Sequence, residues 1–352
     1  MTFETKVLAD SISDRDIRLT TVEATYPRLI HSELMTHRVF SRNSASTRAI
    51  PLATQVANLL HNPFIPEKFG INQPGMQSYR HLAGLKHEQA VDIWLAGRDR
   101  ALTTALELLL GREAMADLLD YDPTTEFANG ATLKDEFQYI KEMLPKSTDS
   151  IDLAETSMLN VHKQLAGRGL EAYMWHTVII TATEWDNFIG LRVHPDAQGE
   201  IATSARLTEI ALDTSSPRPL NAGEWHLPLV EPDEFDDEFD AIRASAARCA
   251  AVSYNRHETI NPAKEFERYN DLRSGGHMSP LEHQATPFDN IDWFIADAQQ
   301  AVTRDLLAVH ALGKHYGKHL ENTEFLGNLR GWVQHRKQVP YEQDFSQITK
   351  ES

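Results

Sequence analysis

Seven of the ten residues from Glu231 to Asp240, EPDEFDDEFD, are carboxylates. So many like charges in a row cannot share a core without counter-ions, and the stretch has no helical or strand period. It reads as a solvated linker. It divides the 352 residues into a first part, 1–230, and a second, 241–352. That length suffices for one large domain or two ordinary ones, with ample buried core. The formal net charge is -17, which excludes attraction of a duplex over the whole surface. A single nucleotide is still allowed, because a few arginines in one pocket can hold a phosphate.

The rest of the composition is that of a globular chain, 41% apolar and 24% charged. No stretch reaches the roughly 18 consecutive apolar residues of a membrane helix, so no membrane partner is expected. The opening residues, MTFETKVLAD, lack a basic patch followed by an apolar run, so no secretory signal is expected. Cys249 is the single cysteine, which rules out an internal disulfide and a Cys-based zinc site. A cytoplasmic location fits these features.

β-Branched residues from Ile17 to Thr25 predict a strand. After Pro27, Leu29, Ile30, Leu34 and Met35 predict one face of a helix. Residues 50–80 hold much Pro, Gly and Asn and read as loops. Helical spacing runs from Lys86 to Leu110, with Gly111 as a C-cap. Residues 112–150 read as an insertion with a short helical pattern at Leu133 to Leu144. A second long helix is expected from about Ser150 or Asp152 to Tyr173, with Gly167 and Gly169 as interruptions. Ile201, Ala205 and Leu212 mark a helix after Pro195. The second part opens with a helix from Phe239 to Val252. A further helix has Pro262 in its first turn and Gly275-Gly276 at its end.

Three polar clusters stand out. Thr36 to Arg48, THRVFSRNSASTR, packs His37, Arg38, Ser41, Arg42, Asn43, Ser44, Ser46 and Arg48 together. Arginine forks and hydroxyls suit a phosphate, and a solvated basic loop is the plainer alternative. Gly275 to His283, GGHMSPLEH, contains the S-x-x-E pattern of a capping box at Ser279 and Glu282, leaving His277 free to face a pocket. Asn187 to Ile201 contains Arg192, which stands within reach of Asp196 or Glu200 as an ion-pair partner.

Together these clusters resemble the flavin-dependent thymidylate synthases. That family carries R-H-R-x-x-S-x-N-E-x-S-x-R-Y, and His37, Arg38, Ser41, Asn43, Ser46 and Arg48 match it in register. The family's F-L-x-L-R and A-Q-x-E-I are similar to NFIGLR and AQGEI here. Gly167-Arg168 before Leu170 is similar to its alanine-arginine dipeptide. The family's N-terminal block, A-A-x-V-S-(Y/F) then G-H-x-S-P-x-E-H, is matched by AAVSY and GHMSPLEH. In this chain that block follows the others, which implies a permutation or a split-and-fused ancestor.

The resemblance implies an α+β fold, with a mixed or antiparallel sheet flanked by long helices. It implies FAD as cofactor, NADPH and methylenetetrahydrofolate as co-substrates, and one-carbon transfer to C5 of a pyrimidine nucleotide monophosphate, dUMP. It assigns nucleotide binding to Glu33, Ser46, Arg48, Arg168 and Arg192. It assigns flavin contacts to His37, Arg38, Ser41, Asn43, Asn187, Ser253, His277 and Ser279. Arg192 and His277 are the catalytic candidates. No cysteine nucleophile is needed, so Cys249 is expected in the core. A homo-oligomer is implied, a tetramer or a dimer. The departures are Thr36, Ser44 and Ala49 for the signature's first arginine, its glutamate and its tyrosine, and Glu33 where the family has glutamine. These keep hydroxymethylation, or another pyrimidine such as dCMP or UMP, open. The tail GNLRGWVQHRK, Gly327 to Lys337, either restores arginine contacts or forms a basic surface strand.

Rival readings are weaker. A hydrolase lacks a G-x-S-x-G elbow. His310, His315, His319 and Glu321 lack the pattern of a metal site and read as surface residues, so no metal is expected. A non-catalytic flavin- or nucleotide-binding protein would keep the arginines without turnover.

Overall fold

The computed structural model describes residues 1–75, 78–112, 159–253, 261–288, 327–339 and 342. The expected insertion at 112–150 and the histidines at 310, 315 and 319 lie almost wholly outside them. The fold is mixed α and β. A five-stranded sheet has the order β3-β4-β2-β1-β5. Its strands are β1 (Glu4–Ser13), β2 (Arg18–Pro27), β3 (Ser41–Ser44), β4 (Trp175–Ala182) and β5 (Arg218–Leu220). β1, β2, β4 and β3 pair antiparallel, and β5 joins β1 in parallel, so the sheet is mixed. A separate hairpin pairs β6 (Ala285–Pro287) with β7 (Trp332–Gln334).

Side chains on a strand alternate between faces, and here each face meets a different set of elements. Val22, Ala24 and Tyr26 of β2 and Val178, Ile180 and Ala182 of β4 point to the first face. Against them pack Ile30, the short helix α1 (His31–Met35), α5 (Asp186–Arg192) and α6 (Gly199–Thr214) through Leu34, Phe188, Ile201, Ala205 and Leu212. The second face presents Ile179 to Cys249 at the end of α7 (Glu238–Ala250) and to Val252 in the 3-10 turn that follows. Leu19 and Leu220 meet Ala285, Leu329 and the fully buried Trp332 there. Residues on both sides of the acidic stretch therefore share these cores. α2 (Leu52–His61) and α3 (Leu85–Leu110) form another core with Leu170 and Met174.

Several expectations change. Leu29, Ile30, Leu34 and Met35 do not form one helical face: Arg28–Ile30 is a 3-10 turn, α1 has five residues, and Met35 is exposed. The reading of 50–80 as loops misses α2, whose apolar positions Leu52, Val56, Leu59 and Leu60 follow helical spacing after Pro51. The described part of the expected 152–173 helix is α4 (Lys163–Ala166) and a 3-10 segment, Gly167–Tyr173. Gly167 lies against Gln55, where a Cβ would approach Oε1 to 2.7 Å, so packing tightens the chain there. The helices expected near 86–110, 239–252 and 262–274 appear as α3, α7 and α8 (Pro262–Ser274). Within the acidic stretch Glu234 is bound by Arg248, which also holds Glu265, and Asp237 caps α7.

The second face of the sheet is crossed by a buried polar chain. Ser11 Oγ meets His226 Nδ1 at 2.9 Å, and His226 Nε2 meets Thr21 Oγ1 at 2.8 Å. Thr21 Oγ1 lies 2.6 Å from Thr181 Oγ1, which lies 2.8 Å from His283 Nδ1. Burial, with no facing carboxylate strong enough to offset it, lowers the pKa of both His226 and His283 to about 3. Burial likewise lowers His176 to about 2 and His335 to about 4.

Two predictions follow from this chain and its neighbours. A histidine held neutral in the fold protonates near its ordinary value when unfolded, so its stabilisation is intact above about pH 6.5 and lost as pH falls below it. Each of the four contributes a slope of about 1.4 kcal/mol per pH unit in that window. Circular dichroism should show cooperative acid unfolding with a midpoint above pH 4; a native spectrum at pH 4 refutes this. Thr181→Val should cost roughly 1–3 kcal/mol in urea unfolding, because it strands a buried imidazole. Thr181→Ser should recover most of the loss, and equal stability of the two variants would dismiss the role of the hydroxyl.

Candidate functional site

β3 is an edge strand, and the Thr36–Arg48 cluster wraps around it. Its register places Ser41 opposite Thr181, Arg42 opposite Ile180 and Asn43 opposite Ile179. Ser41 and Asn43 therefore face one side of the sheet and Arg42 the other.

On the second face the cluster meets residues from the far end of the chain. Asn43 Nδ2 donates to the Cys249 carbonyl at 2.5 Å, and Ser279 Oγ donates to Asn43 Oδ1 at 3.4 Å. Ser41 Oγ donates to Asn328 Oδ1 at 2.9 Å and accepts from Gln334 Nε2 at 2.9 Å. Gln334 also reaches the Glu282 carbonyl. Gly327 begins this docked segment, and a Cβ there would collide with Gln334 Oε1 at 2.1 Å. Ser279 and Glu282 do not form a capping box. The segment Ser279–Glu282 is one 3-10 turn without a side-chain cap, because Ser279 turns to Asn43 and Glu282 pairs with Arg336. The tail is not a plain surface strand either: Trp332 and Gln334 are buried, while Arg330 pairs with Glu184.

On the first face Arg192, at the end of α5, reaches the same cluster. Its Nε donates to His37 Nε2 at 3.0 Å, and its Nη2 donates to the Glu33 carbonyl and to Thr36 Oγ1. It does not pair with Asp196 or Glu200. His37 accepts at Nε2, so its proton sits on Nδ1. Burial first, then the charges of Arg192 and Arg42, lowers its pKa and keeps it neutral, against the opposing effect of its hydrogen bond to Asn187. Phe40 and Phe188 pack against its ring.

The remaining candidates surround this centre. Glu171 accepts from Thr47 and Arg168 and pairs with Arg28 at 3.2 Å. Burial raises its pKa, but the hydrogen bonds of Arg28, Thr47 and Arg168 outweigh that and lower it overall. Ser46 Oγ accepts from the Arg48 backbone N–H, and the Arg48 side chain is exposed. Arg38, Asn187 and His277 are exposed, and Ser253 ends the 3-10 turn Ala251–Ser253, which lies against β3 and β4. Sequence reading missed His226 and the Arg28–Glu171 pair. His283 lay in the GGHMSPLEH cluster without an assigned role, and Asn328, Gln334 and Arg336 carried a signal only as part of the tail Gly327 to Lys337.

α5 also borders an open cleft of about 470 Å³, lined by Trp185, Asp186, Arg18, Leu212, Glu209 and Asp213 among others. Arg18 is already held by Asp10, so this cleft is net acidic and disfavours a phosphate. Among the described residues no group of His, Cys, Asp or Glu could hold a metal ion, and no described helix is long and apolar enough to cross a membrane.

No protein-family model matches this chain, and no curated protein matches it significantly.

Arg192 both lowers the pKa of His37 and fixes its tautomer. In Arg192→Gln the His37 pKa should rise toward its ordinary value, read from the pH titration of its ring proton by NMR. An unchanged titration would remove Arg192 from the electrostatics of this ring.

Proposed function

We propose that this chain is a flavin-dependent enzyme that transfers a one-carbon unit from methylenetetrahydrofolate to C5 of a pyrimidine nucleotide monophosphate, with dUMP as the substrate. The supporting observation is the meeting at β3 of blocks far apart in the chain. Arg192 bonds His37 across 155 positions and Ser279 bonds Asn43 across 236. A permuted chain that kept the family's chemistry needs these same segments side by side.

The residues fit a flavin and a nucleotide. Arg38 and Asn187 are exposed on the side of the neutral His37, His277 and Ser279 are exposed on the second face beside Asn43, and Arg38 is a cation available for a diphosphate. Bound FAD supplies hydride chemistry fed by NADPH. Ser46, Arg48 and Arg168 hold the nucleotide phosphate. Arg192 orients the ring and stabilises negative charge on a pyrimidine carbonyl. Its anchors on His37, Thr36 and Glu33 fix the guanidinium before substrate arrives, which lowers the ordering cost. Sites of this family draw on several subunits, so a homo-oligomer belongs to the proposal.

A second reading, hydroxymethylation or a different pyrimidine such as dCMP or UMP, draws on Thr36. Thr36 stands where the signature has arginine, accepts from Arg192 and donates to the Glu33 carbonyl at 2.6 Å. The replaced residue thus bears on the group that touches the base.

The visible spectrum of the purified protein, followed by anaerobic titration with dUMP, dCMP and UMP, tests both. Flavin bands perturbed by dUMP alone support the first reading, and perturbation by dCMP or UMP supports the second. A colourless protein that cannot be reconstituted with FAD overturns both. Arg48→Ala should weaken nucleotide binding by about tenfold or more while FAD stays bound.

A further inference from the structure

The first face of the sheet carries a cationic cluster that the reading above does not use. Arg28 follows β2, Arg42 sits on β3, His31 opens α1 and His176 lies on β4, and all four turn to the same side. Tyr26 Oη meets His31 Nδ1 at 2.9 Å, and Arg28 Nη1 meets His176 Nδ1 at 2.9 Å. The rings of His31 and His176 pack edge to face at 4.5 Å. Arg42 Nη1 donates to the Leu34 carbonyl, one turn along from His31.

The charges do not close. Arg28 and Arg168 share the single carboxylate of Glu171. Arg42 is half-buried and has no ion pair among the described residues; of the groups that act on it, Tyr26 is a phenol and Glu282 is already paired with Arg336. Burial lowers the pKa of Arg42, so desolvation is not offset there. Burial, then Arg28 and Arg42, also lowers the pKa of His31 to about 4, which Glu171 opposes only weakly. With both histidines neutral, three arginines face one glutamate, a net charge of about +2 at a half-open position. A half-buried guanidinium with spare donors and no counter-charge among the described residues suits an oxyanion.

We propose that Arg42, His31 and Arg28 form a phosphate-binding position, adjoining Ser46, Arg48 and Arg168 through Glu171. Its ligand is a phosphate monoester or inorganic phosphate, whose dianion matches the excess charge. Arg42 donates through its remaining N–H groups, and His31 donates from Nε2 in the tautomer whose Nδ1 accepts from Tyr26 Oη. The position rests on charge and geometry alone. It stands whether or not the protein binds flavin, although a nucleotide phosphate would extend the function proposed above.

Isothermal titration of the full chain with inorganic phosphate, dUMP and deoxyuridine tests it. Saturable phosphate binding is expected, weakened about tenfold or more by Arg42→Gln and by His31→Asn and largely kept by Arg42→Lys. On phosphate binding the His31 ring should titrate at higher pH, because the anion offsets Arg28 and Arg42. Tighter binding of dUMP than deoxyuridine, with loss of that difference in Arg42→Gln, identifies a nucleotide phosphate as the source. Equal dUMP affinity in the two proteins, with phosphate binding still sensitive to Arg42, identifies free phosphate. Wild-type phosphate affinity in Arg42→Gln and His31→Asn, with thermal unfolding unchanged, overturns the proposal, as does the absence of saturable phosphate binding to the wild type. The flavin spectrum of each variant is read separately, so a colourless protein that binds phosphate rejects only the flavin reading.

Discussion

The sheet depends on a line of neutral polar groups running through its buried second face. Ser11, His226, Thr21, Thr181 and His283 come from β1, the segment after β5, β2, β4 and the turn before β6. Apolar side chains alone would let these strands slide, since their β-branched residues are interchangeable in shape. Hydroxyl and imidazole groups are not interchangeable: a slip of one residue would bury several without partners, at roughly 1–3 kcal/mol each. The line thus fixes register where Ser41 and Asn43 must meet the end of the chain. His283 Nε2, its far end, has no partner among the described residues.

Edge strand β3 then distributes the candidate site over two surfaces. Ser41 and Asn43 look toward the permuted blocks, while Arg42 looks toward Tyr26, His31 and Arg28. A four-residue strand separates the two environments by alternation alone. In a chain of net charge -17, such locally unbalanced arginines are where an anionic ligand finds a favourable field.

Apolar spacing made α3 and α6 legible, with Gly111 ending α3, whereas α8 was legible from its end signals, Pro262 and Gly275-Gly276. The second strand was readable from its β-branched run. α2 was hidden by the Pro- and Asn-rich stretches around it, although its own spacing is helical. β1 was hidden because only some of its positions are buried and its charged residues break the pattern. In the site, the chemistry of Thr36 to Arg48 was visible as composition, but partners were not. Arg192 looked as if it would pair locally with Asp196 or Glu200. The sheet instead carried it to His37, a contact that no local spacing encodes. Ser279 and Glu282 matched a capping pattern, and tertiary partners claimed both. The Arg28–His176 contact depends on the pairing of β2 with β4, which a single sequence does not display.

Trp332 and Gln334 are among the last described residues, yet they complete the core beneath β2 and hold Ser41 from nearly the opposite end of the chain. A nascent polypeptide emerges from its N-terminus at about 5–20 residues per second. The Thr36–Arg48 loop therefore leaves the ribosome well before Gln334, which lies 293 positions beyond the Ser41 it holds. During that interval the loop lacks its second-face partners, and synthesis itself delays assembly of the site until Gln334 is out.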